Sequence, residues 1–296
     1  MDKLIRKILV ANRGEIAVRI LRTANRLGIA TVAVYPETDR EALHVARADE
    51  SYALGAGPLS ETYLNIEKLI RIAMQSGADA IHPGYGFLSE NPAFAKACED
   101  NGIIFIGPSS VSIEAIGNKI RSREIARELG IPVTTSFEGS VGDLEKKGKL
   151  LPYPVLIKAA AGGGGKGMKI VKSPGELKAS LESAGREALN YFGDGTVYIE
   201  QYLEEPRHIE VQVIGDRHGN YIHLFERECT IQRRHQKIIE EAPSSITNYE
   251  LRMTIWDAAI TIARKIGYVN AGTVEFLVDR DGKFYFLEMN TRIQVE

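Results

Sequence analysis

The segment FYFLEMNTRIQVE at residues 284–296 places several side chains of catalytic type at every second position. In an extended strand successive side chains point to opposite faces, so one face is predicted to be polar and the other apolar. The predicted polar face consists of Glu288, Asn290, Arg292, Gln294 and Glu296, and the predicted core face consists of Leu287, Met289, Thr291, Ile293 and Val295. A solvated strand face is the alternative, but such faces usually carry Lys, Thr and Ser. We therefore expect chemistry on the polar face.

The segment just upstream, GTVEFLVDRDGKFYFLE, has the pattern of a β-hairpin that turns at Asp281 and Gly282. This pairing would place Glu275 beside Glu288, and two adjacent carboxylates repel each other unless a cation lies between them. Hard oxygen ligands from Glu275, Glu288 and Asn290 suit Mg²⁺, which takes few protein ligands and completes its shell with water and substrate phosphates. The hairpin therefore predicts a site for a metal-bound nucleotide.

A glycine-rich segment, AAAGGGGKGM at residues 159–168, lies between the predicted strands VLIKA and MKIVK. Glycines let backbone N–H groups wrap a phosphate, and Lys166 would add positive charge. The segment is not a P-loop, because Gly167 stands where G-x-x-x-x-G-K-[ST] requires Ser or Thr. A glycine-rich hairpin without function is the alternative. Lys158, in the apolar context PVLIKA, is costly to bury without an anionic partner, and phosphate is the obvious candidate.

Two shorter segments carry weaker signals. The strand VYIEQYL contains Glu200 and ends at Leu203, where backbone groups and an acidic side chain could meet an adenine amino group. The run QRRHQK, from Gln232 to Lys237, concentrates positive charge. A surface charge run explains such a cluster equally well.

Composition limits the possible functions. The chain has 296 residues, of which 44% are hydrophobic and 26% charged, enough for two or three domains with cores of their own. A net charge of −2 gives no overall basic field for nucleic acid. Cys98 and Cys229 cannot form a disulfide framework, and the N-terminus has no signal-peptide layout. No apolar run approaches the roughly 20 residues needed to span a bilayer, so we expect a cytoplasmic protein without membrane contact of its own.

The elements that must position these residues follow two patterns. From KILVA to IIFIG, short apolar runs alternate with helical patterns, which predicts a doubly wound parallel α/β domain. Its first strand-to-helix turn, residues 12–15, has a single glycine, which argues against a dinucleotide site. Residues 118–129 predict a linking helix, and residues 153–202 predict strand, glycine loop, strand, helix and strand, a small domain that could move as a lid. From Arg207 onward, long strands with one helix at 249–266 predict an α+β region with an antiparallel sheet.

Several long motifs follow one another along the chain: ANRGEIAVRI, HPGYGFLSEN, KAAAGGGGKGM, PRHIEVQV, QRRHQKIIEEAP and KFYFLEMNTRIQVE. Together they resemble biotin carboxylase, the ATP-grasp component of biotin-dependent carboxylases, from near the first residue to the last. The resemblance implies an N-terminal α/β domain over residues 1–117, a linker helix region over 118–135, a glycine-rich ATP-grasp lid over 136–203 and the first part of the C-terminal ATP-grasp domain over 204–296. Members of the family continue well beyond the last motif. We therefore expect this chain to be truncated and its ATP-grasp fold incomplete.

The resemblance also implies a role for each site residue. The ATP phosphates would be bound by Lys119 and Lys158 under a loop of Gly163, Gly164, Gly165, Lys166 and Gly167. The remaining nucleotide contacts would be Glu200 and Leu203 at the adenine, His208 and Gln232 at the ribose, and His235 at the phosphates. Mg²⁺ or Mn²⁺ would be held by Glu275, Glu288 and Asn290. Bicarbonate would be held by Lys237, Arg292, Gln294 and the backbone of Val295, with Glu296 as the base that deprotonates it.

The implied reaction begins with ATP, which converts bicarbonate into carboxyphosphate while the metal and the lysines neutralise charge on the phosphoryl group. Carboxyphosphate then releases CO₂, phosphate takes a proton from the biotin ureido nitrogen, and Arg292 stabilises the enolate. The implied partners are a biotin carboxyl carrier protein, carboxyltransferase subunits and, in the full-length form, a second copy in a homodimer. Acetyl-CoA is the acyl acceptor expected on prevalence, with propionyl-CoA and pyruvate as alternatives.

Three features set limits on this resemblance. Gln201 stands where the family often has lysine, and Lys166 replaces a frequent arginine, which keeps the charge and loses the planar fork. Because of the expected truncation, we expect the chain alone to bind nucleotide weakly and not to carboxylate biotin. No biotinylation motif is present, since the nearest segment, residues 167–170, lies in the predicted lid. The rival functions are another bicarbonate-activating ATP-grasp ligase, such as a carbamoyl-phosphate synthetase half, and a nucleotide-binding subunit without turnover.

Overall fold

The computed structural model describes residues 4–160, 168–233, 236–246 and 248–295, and within these ranges the strands form three sheets. The helices are α1 (Gly14–Arg26), α2 (Leu43–Arg47), α3 (Ile66–Ser76), α4 (Pro92–Asp100), α5 (Ser110–Gly117), α6 (Lys119–Glu128), α7 (Val141–Gly148), α8 (Leu177–Phe192) and α9 (Tyr249–Lys265). The strands are β1 (Lys7–Val10), β2 (Ala30–Pro36), β3 (Glu50–Gly55), β4 (Ala80–His82), β5 (Ile104–Phe105), β6 (Ser136–Glu138), β7 (Val155–Ala159), β8 (Lys169–Val171), β9 (Val197–Gln201), β10 (Arg207–Gly215), β11 (Tyr221–Arg233), β12 (Gln236–Glu241), β13 (Asn270–Val278) and β14 (Phe284–Asn290). Judged by length and hydropathy, none of the helices in these ranges qualifies as a membrane span.

The first sheet is parallel and has the strand order β3-β2-β1-β4-β5. Alternate residues of β1 enter two cores: Ile8 packs with α1, whereas Leu9 packs with α3 and α4. Helices therefore cover both faces, and the predicted doubly wound fold is confirmed. Strand β3 was not predicted, because only Leu54 of its six residues is buried. The chain leaves β1 toward β2 and returns on the other side at β4, which creates a crevice at the carboxyl ends of β1 and β4.

The four-stranded sheet is antiparallel, with the order β6-β9-β7-β8. Its core is formed by one face, against which α7 and α8 pack Leu144 and Leu181. The predicted series of strand, strand, helix and strand matches β7, β8, α8 and β9. The preceding β6 and α7 were not predicted, since a three-residue strand is too short to show a period.

The third sheet is antiparallel throughout, as predicted, and has the order β12-β11-β10-β13-β14. Helix α9 begins where the Asn248 side chain accepts a hydrogen bond from Leu251 N, and it packs Ile262 against one face of the sheet. Helix α6, capped in the same way by Asn118, adds Ile125 to this core. The linking helix predicted over 118–129 is therefore confirmed, and it packs against the third sheet. The opposite face of that sheet is left for polar residues.

The strand predicted to continue through residue 296 instead ends at Asn290, so the prediction of alternating faces is wrong beyond that point. Gln294 is 8% exposed and Val295 is 69% exposed, which reverses the predicted faces of these two residues. The physical reason is that pairing with β13 stops at Asn290, so no ladder holds the following backbone extended. A bulge lies earlier, because Glu275 pairs with Glu288 whereas Phe276 pairs with Phe286.

Candidate active site

Glu275 and Glu288 lie opposite each other on β13 and β14. The turn between these strands is closed by a 3.1 Å hydrogen bond from Gly282 N to Asp279 O. Gly282 has a φ of +79°, a backbone region that favours glycine. The predicted pairing of the two carboxylates is therefore confirmed.

Glu275 is buried and accepts three hydrogen bonds. His208 Nε2 lies 2.6 Å from its Oε2, while Lys237 Nζ and Asn290 Nδ2 lie 3.0 Å and 2.6 Å from its Oε1. Burial alone would raise the pKa of Glu275, but the hydrogen bond from His208 and the charge of Lys237 lower it to about 2. Glu275 is therefore ionised at neutral pH.

Glu288 has a different environment although it faces the same space. Its carboxylate has no hydrogen bond to any residue that the structure describes. Burial and the negative charge of Glu275 raise the pKa of Glu288, and the positive charges of Lys119 and Lys158 oppose this shift. Burial in turn lowers the pKa of Lys119. A divalent cation between the two carboxylates would offset their repulsion.

His208, on β10, bridges the carboxylate pair and Gln232 of β11. Gln232 Nε2 lies 2.7 Å from His208 Nδ1 and also donates to the Cys229 carbonyl at 2.9 Å. Because an amide nitrogen only donates, His208 Nδ1 accepts and its Nε2 carries the proton that is donated to Glu275. His208 and Gln232, the two residues expected at the ribose, are thus in contact with each other, and His208 also contacts the predicted metal ligand Glu275.

Lys237, on β12, is held by two carboxylates. Its Nζ contacts Glu210 as well as Glu275. Glu210 is fully buried on β10 and also accepts a 2.6 Å hydrogen bond from Arg227 Nε. Burial lowers the pKa of Lys237, but the charges of Glu275 and Glu210 outweigh it and raise that pKa overall. Glu210 and Arg227 were not among the predicted site residues. The signal available for Glu210 was its position two residues after His208, on the same strand face.

Arg292 connects the third sheet to the first domain. Its Nε donates to Glu90 Oε2 at 3.0 Å and its Nη2 donates to Asn290 Oδ1 at 3.1 Å. Glu90 also accepts a hydrogen bond from Thr291 N at 3.3 Å. Glu90 was not among the predicted site residues, although its motif, HPGYGFLSEN, was identified.

Of the residues that follow Arg292, Gln294 is buried and hydrogen-bonded, whereas Val295 is exposed. Gln294 donates from Nε2 to Thr273 Oγ1 at 2.8 Å, and its backbone oxygen accepts a hydrogen bond from Arg19 Nη1 at 3.2 Å. Its buried Oε1 has no hydrogen-bond partner among the described residues. Val295 is exposed. The amide of Gln294 therefore has an acceptor available in a buried position.

Lys158 is buried at the end of β7 and forms an ion pair with Glu200 of β9. Arg123 Nη1 lies 3.1 Å from the same carboxylate. Burial alone would raise the pKa of Glu200, but the charges of Lys158 and Arg123 lower it. An anionic partner for Lys158 is thus provided by the protein itself. Leu203, two residues after β9, is also buried.

Several predicted residues lie outside the described residues. They are the phosphate loop of Gly163, Gly164, Gly165, Lys166 and Gly167, together with His235 and Glu296. Their roles stay predictions. The predicted residues that the structure brings together on one sheet face are His208, Gln232, Lys237, Glu275, Glu288 and Asn290, with Arg292 beside them.

Comparison with protein families matches nearly the whole chain to two models. Residues 4–113 match the model described as "Biotin carboxylase, N-terminal domain". Residues 118–296 match the model described as "Carbamoyl-phosphate synthase L chain, ATP binding domain". The boundary between the two matches falls at α5 and α6.

Curated relatives are similar over almost all of this chain. It is 53% identical to "Biotin carboxylase 2" of Bacillus subtilis over 98% of the chain and 66% of the relative. It is 54% identical to the mitochondrial methylcrotonoyl-CoA carboxylase alpha subunit of Dictyostelium discoideum, over 99% of the chain and 42% of the relative. It is also 54% identical to a pyruvate carboxylase subunit of Methanothermobacter thermautotrophicus, over 98% of the chain and 60% of the relative. The chain therefore spans between about two fifths and two thirds of the length of these relatives.

Solved structures resemble the fold closely. A complex of biotin carboxylase with β,γ-ATP from Campylobacter jejuni has a TM-score of 0.95 at 47% identity and covers 99% of this chain and 66% of that one. The biotin carboxylase domain dimer of the Hydrogenobacter thermophilus 2-oxoglutarate carboxylase, in complex with MgADP, ADP and bicarbonate, has a TM-score of 0.96 at 49% identity, over 99% and 65%.

Proposed function

Because the chain belongs to the biotin carboxylase family, we propose that it binds ATP and bicarbonate for the ATP-dependent carboxylation of biotin on a carrier protein. The observation that carries this proposal is the pair Glu275 and Glu288, which face each other from adjacent strands. Glu275 accepts three hydrogen bonds, and Glu288 has no hydrogen bond to a described residue. Such a pair is typical of a metal-nucleotide site.

The donor set fits Mg²⁺. Glu288 has both oxygens available, and Glu275 has acceptor capacity left, because a carboxylate offers about four acceptor positions and three hydrogen bonds use it. Asn290 would contribute Oδ1, which accepts a hydrogen bond from Arg292 in this structure. When bound, Mg²⁺ would neutralise charge on the transferring phosphoryl group. The same oxygen donors would accept Mn²⁺.

The positive charges around this pair suit an anionic substrate. Lys119 and Lys158 are near enough to Glu288 to lower its pKa, so they would also face phosphates bound at that point. Lys237 contacts Glu275 and Arg292 contacts Asn290, and these two cations would hold bicarbonate together with Gln294 and the Val295 backbone. The unpartnered Oε1 of Gln294 supports an additional contact there, since bicarbonate carries one hydroxyl donor.

In the proposed reaction, bicarbonate attacks the γ-phosphorus of ATP, and ADP leaves with the electron pair of the broken P–O bond. Glu296 would take the proton from bicarbonate. Carboxyphosphate then breaks its C–O bond and yields CO₂ and phosphate, the phosphate accepts the ureido proton of biotin, and the nitrogen forms the new N–C bond to CO₂. Arg292 would stabilise the developing ureido charge, and its hydrogen bonds to Glu90 and Asn290 support this role because they hold its guanidinium in place.

The partners and the acyl acceptor stay part of the proposal. A biotin carboxyl carrier protein, carboxyltransferase subunits and a second copy of the chain are the proposed partners. Relatives named for methylcrotonoyl-CoA, pyruvate and propionyl-CoA carboxylases are 50–54% identical to this chain. Because these identities are so similar, they do not favour one acyl acceptor, and they do not single out acetyl-CoA, the acceptor expected on prevalence. A cytoplasmic location is also part of the proposal, because some of these relatives are named as mitochondrial subunits.

The proposal is tested by bicarbonate-dependent ADP release, with and without free biotin, on this chain and on the protein at its full natural length. We expect biotin to stimulate release in the full-length protein and not in this chain, and we expect Glu288→Gln in the full-length protein to abolish the release. Glu250→Gln is the matched control, since Glu250 is exposed on α9. Release that ignores biotin would indicate another bicarbonate-activating ligase. Nucleotide binding without release would indicate a binding subunit.

A further inference from the structure

A small enclosed cavity lies beside Arg292, outside the carboxyl ends of β4 and β5. Its walls come from His82 and Gly107 of the first domain, from Ala271 of the third sheet and from residues 291–293, which follow the last strand of that sheet. In doubly wound sheets, ligands bind outside the carboxyl ends of the strands, next to the point where the strand order reverses. That point lies between β1 and β4 in this sheet, and the cavity lies next to it, on the β5 side of β4.

The size of the cavity limits what it can hold. Its volume is about 50 Å³. A cavity of about 150 Å³ binds benzene, which has six heavy atoms, so this cavity has room for a molecule of about two to three heavy atoms. A nucleotide, a phosphate ester or the biotin ring system is too large.

The lining favours an uncharged molecule with hydrogen-bond acceptors. Ser89 is 1% exposed and lines the cavity, and its hydroxyl has no hydrogen-bond partner among the described residues. Arg292 is the cation at the wall, and its charge is already balanced by Glu90 at 3.0 Å. Burial, helped by the charge of Arg19, lowers the pKa of His82 to about 4, so this ring is neutral near pH 7. Phe105 and Ile293 add apolar surface. In the proposed function Arg292 acts on bicarbonate together with Lys237, and no other Lys or Arg lines this cavity among the described residues, so a second anion buried here would lack a compensating charge.

We propose that this cavity is a holding site for CO₂, formed between the first domain and the 291–293 segment. CO₂ has three heavy atoms, no net charge and an acceptor oxygen at each end, which the Ser89 hydroxyl can meet. This inference rests on the proposed function, in which CO₂ forms next to Arg292 and must reach the ureido nitrogen before it diffuses away. A pocket that shares Arg292 with the bicarbonate site would retain it.

The test is the occupancy of CO₂ in crystal structures determined after the crystals are equilibrated with CO₂ gas. The wild-type chain is compared with two variants of Ser89. Ser89→Ala removes the hydroxyl and leaves the space, whereas Ser89→Val also fills the space. Ser76→Ala is the matched control, a buried serine on α3 whose hydroxyl bonds to Ala73 O at 3.1 Å. We expect CO₂ in the wild type and the control, weaker occupancy in Ser89→Ala and complete loss in Ser89→Val. Thermal unfolding of each variant checks that it is folded.

Three results would overturn the inference: ordered water that CO₂ does not displace, bicarbonate in place of CO₂, or equal occupancy in Ser89→Val. A second measurement on the full-length protein counts ADP formed per carboxybiotin. We expect this ratio to rise in Ser89→Val and to stay at the wild-type value in Ser76→Ala. Because occupancy is measured without turnover, a cavity that binds CO₂ in a protein that never carboxylates biotin refutes only the proposed function. Carboxylation with no CO₂ in the cavity refutes only the holding site.

Discussion

Replacing Lys237 by methionine tests whether the charges around the carboxylates hold the third sheet together. The substitution keeps the length of the side chain and removes its charge. Among the described residues, the fully buried Glu210 would retain only Arg227, and Glu275 would retain only His208 and Asn290. Removing one partner of a buried ion pair destabilises a protein by about 3–5 kcal/mol. Because each carboxylate keeps another partner, we expect the lower end of that range, about 3 kcal/mol.

The assay is urea unfolding followed by tryptophan fluorescence. The chain has one tryptophan, and Trp256 lies on α9 in the core of the third sheet, so its signal reports on this sheet. The matched control is Lys265→Met. Lys265 lies 3.8 Å from Glu128 with both side chains 49% exposed, and such surface pairs contribute about 0–1 kcal/mol.

The pH dependence of the difference gives a second check. A carboxylate with a depressed pKa contributes stability above its unfolded pKa and loses it as the pH falls through its folded pKa. Without Lys237, the pKa of Glu275 should lie above its present value of about 2, so less stability remains to be lost in acid. The gap between wild type and variant should therefore be largest above pH 5 and shrink toward pH 2. A loss under about 1 kcal/mol, or a gap that does not change with pH, would refute this account of the cluster.

Three further results are expected. MgADP should raise the melting temperature of the wild-type chain and leave Glu288→Gln unchanged in a thermal-shift assay; an equal rise in both would remove Glu288 from the metal site. Glu275 should account for about 3 kcal/mol of the stability that the wild type loses as the pH falls from the ordinary glutamate pKa of 4.5 to about 2, since one pKa unit is worth about 1.4 kcal/mol. Other carboxyl groups titrate in the same window, so this share is measured as the difference in unfolding free energy between the wild type and Glu275→Gln; a difference that does not change in this window contradicts the assignment. Calorimetry should show a larger loss of stability for Gly84→Ala than for Gly86→Ala. Both glycines have a φ of +66°, but an added Cβ at Gly84 would lie 2.8 Å from Asn12 Nδ2, whereas at Gly86 it would meet open space. Equal losses would show that the contact with Asn12 does not matter.

Much of the architecture follows from local patterns in the sequence. The alternation of apolar runs and helical patterns was sufficient to predict the parallel α/β domain, because the periods of strands and helices can be read from short segments. The Asp281-Gly282 turn predicted the hairpin that brings Glu275 beside Glu288, but their exact pairing also depends on the bulge at Glu275 and Phe276, which shifts the register by one residue. Short elements such as β6 escaped prediction because three residues show no period.

The surroundings of the site residues depended on contacts between distant segments. Glu90 meets Arg292 across 202 positions of sequence, and Glu210 meets Lys237 only because β10, β11 and β12 are neighbours in one sheet. The sequence predicted that Lys158 needs an anionic partner. Glu200 is that partner because β7 pairs with β9. The residue types, spacing and motifs of the sequence therefore determined the family and the candidate residues. Tertiary structure alone decided which charges are paired, because a buried charge is balanced by whatever group the packing of separate elements places within a few ångströms of it.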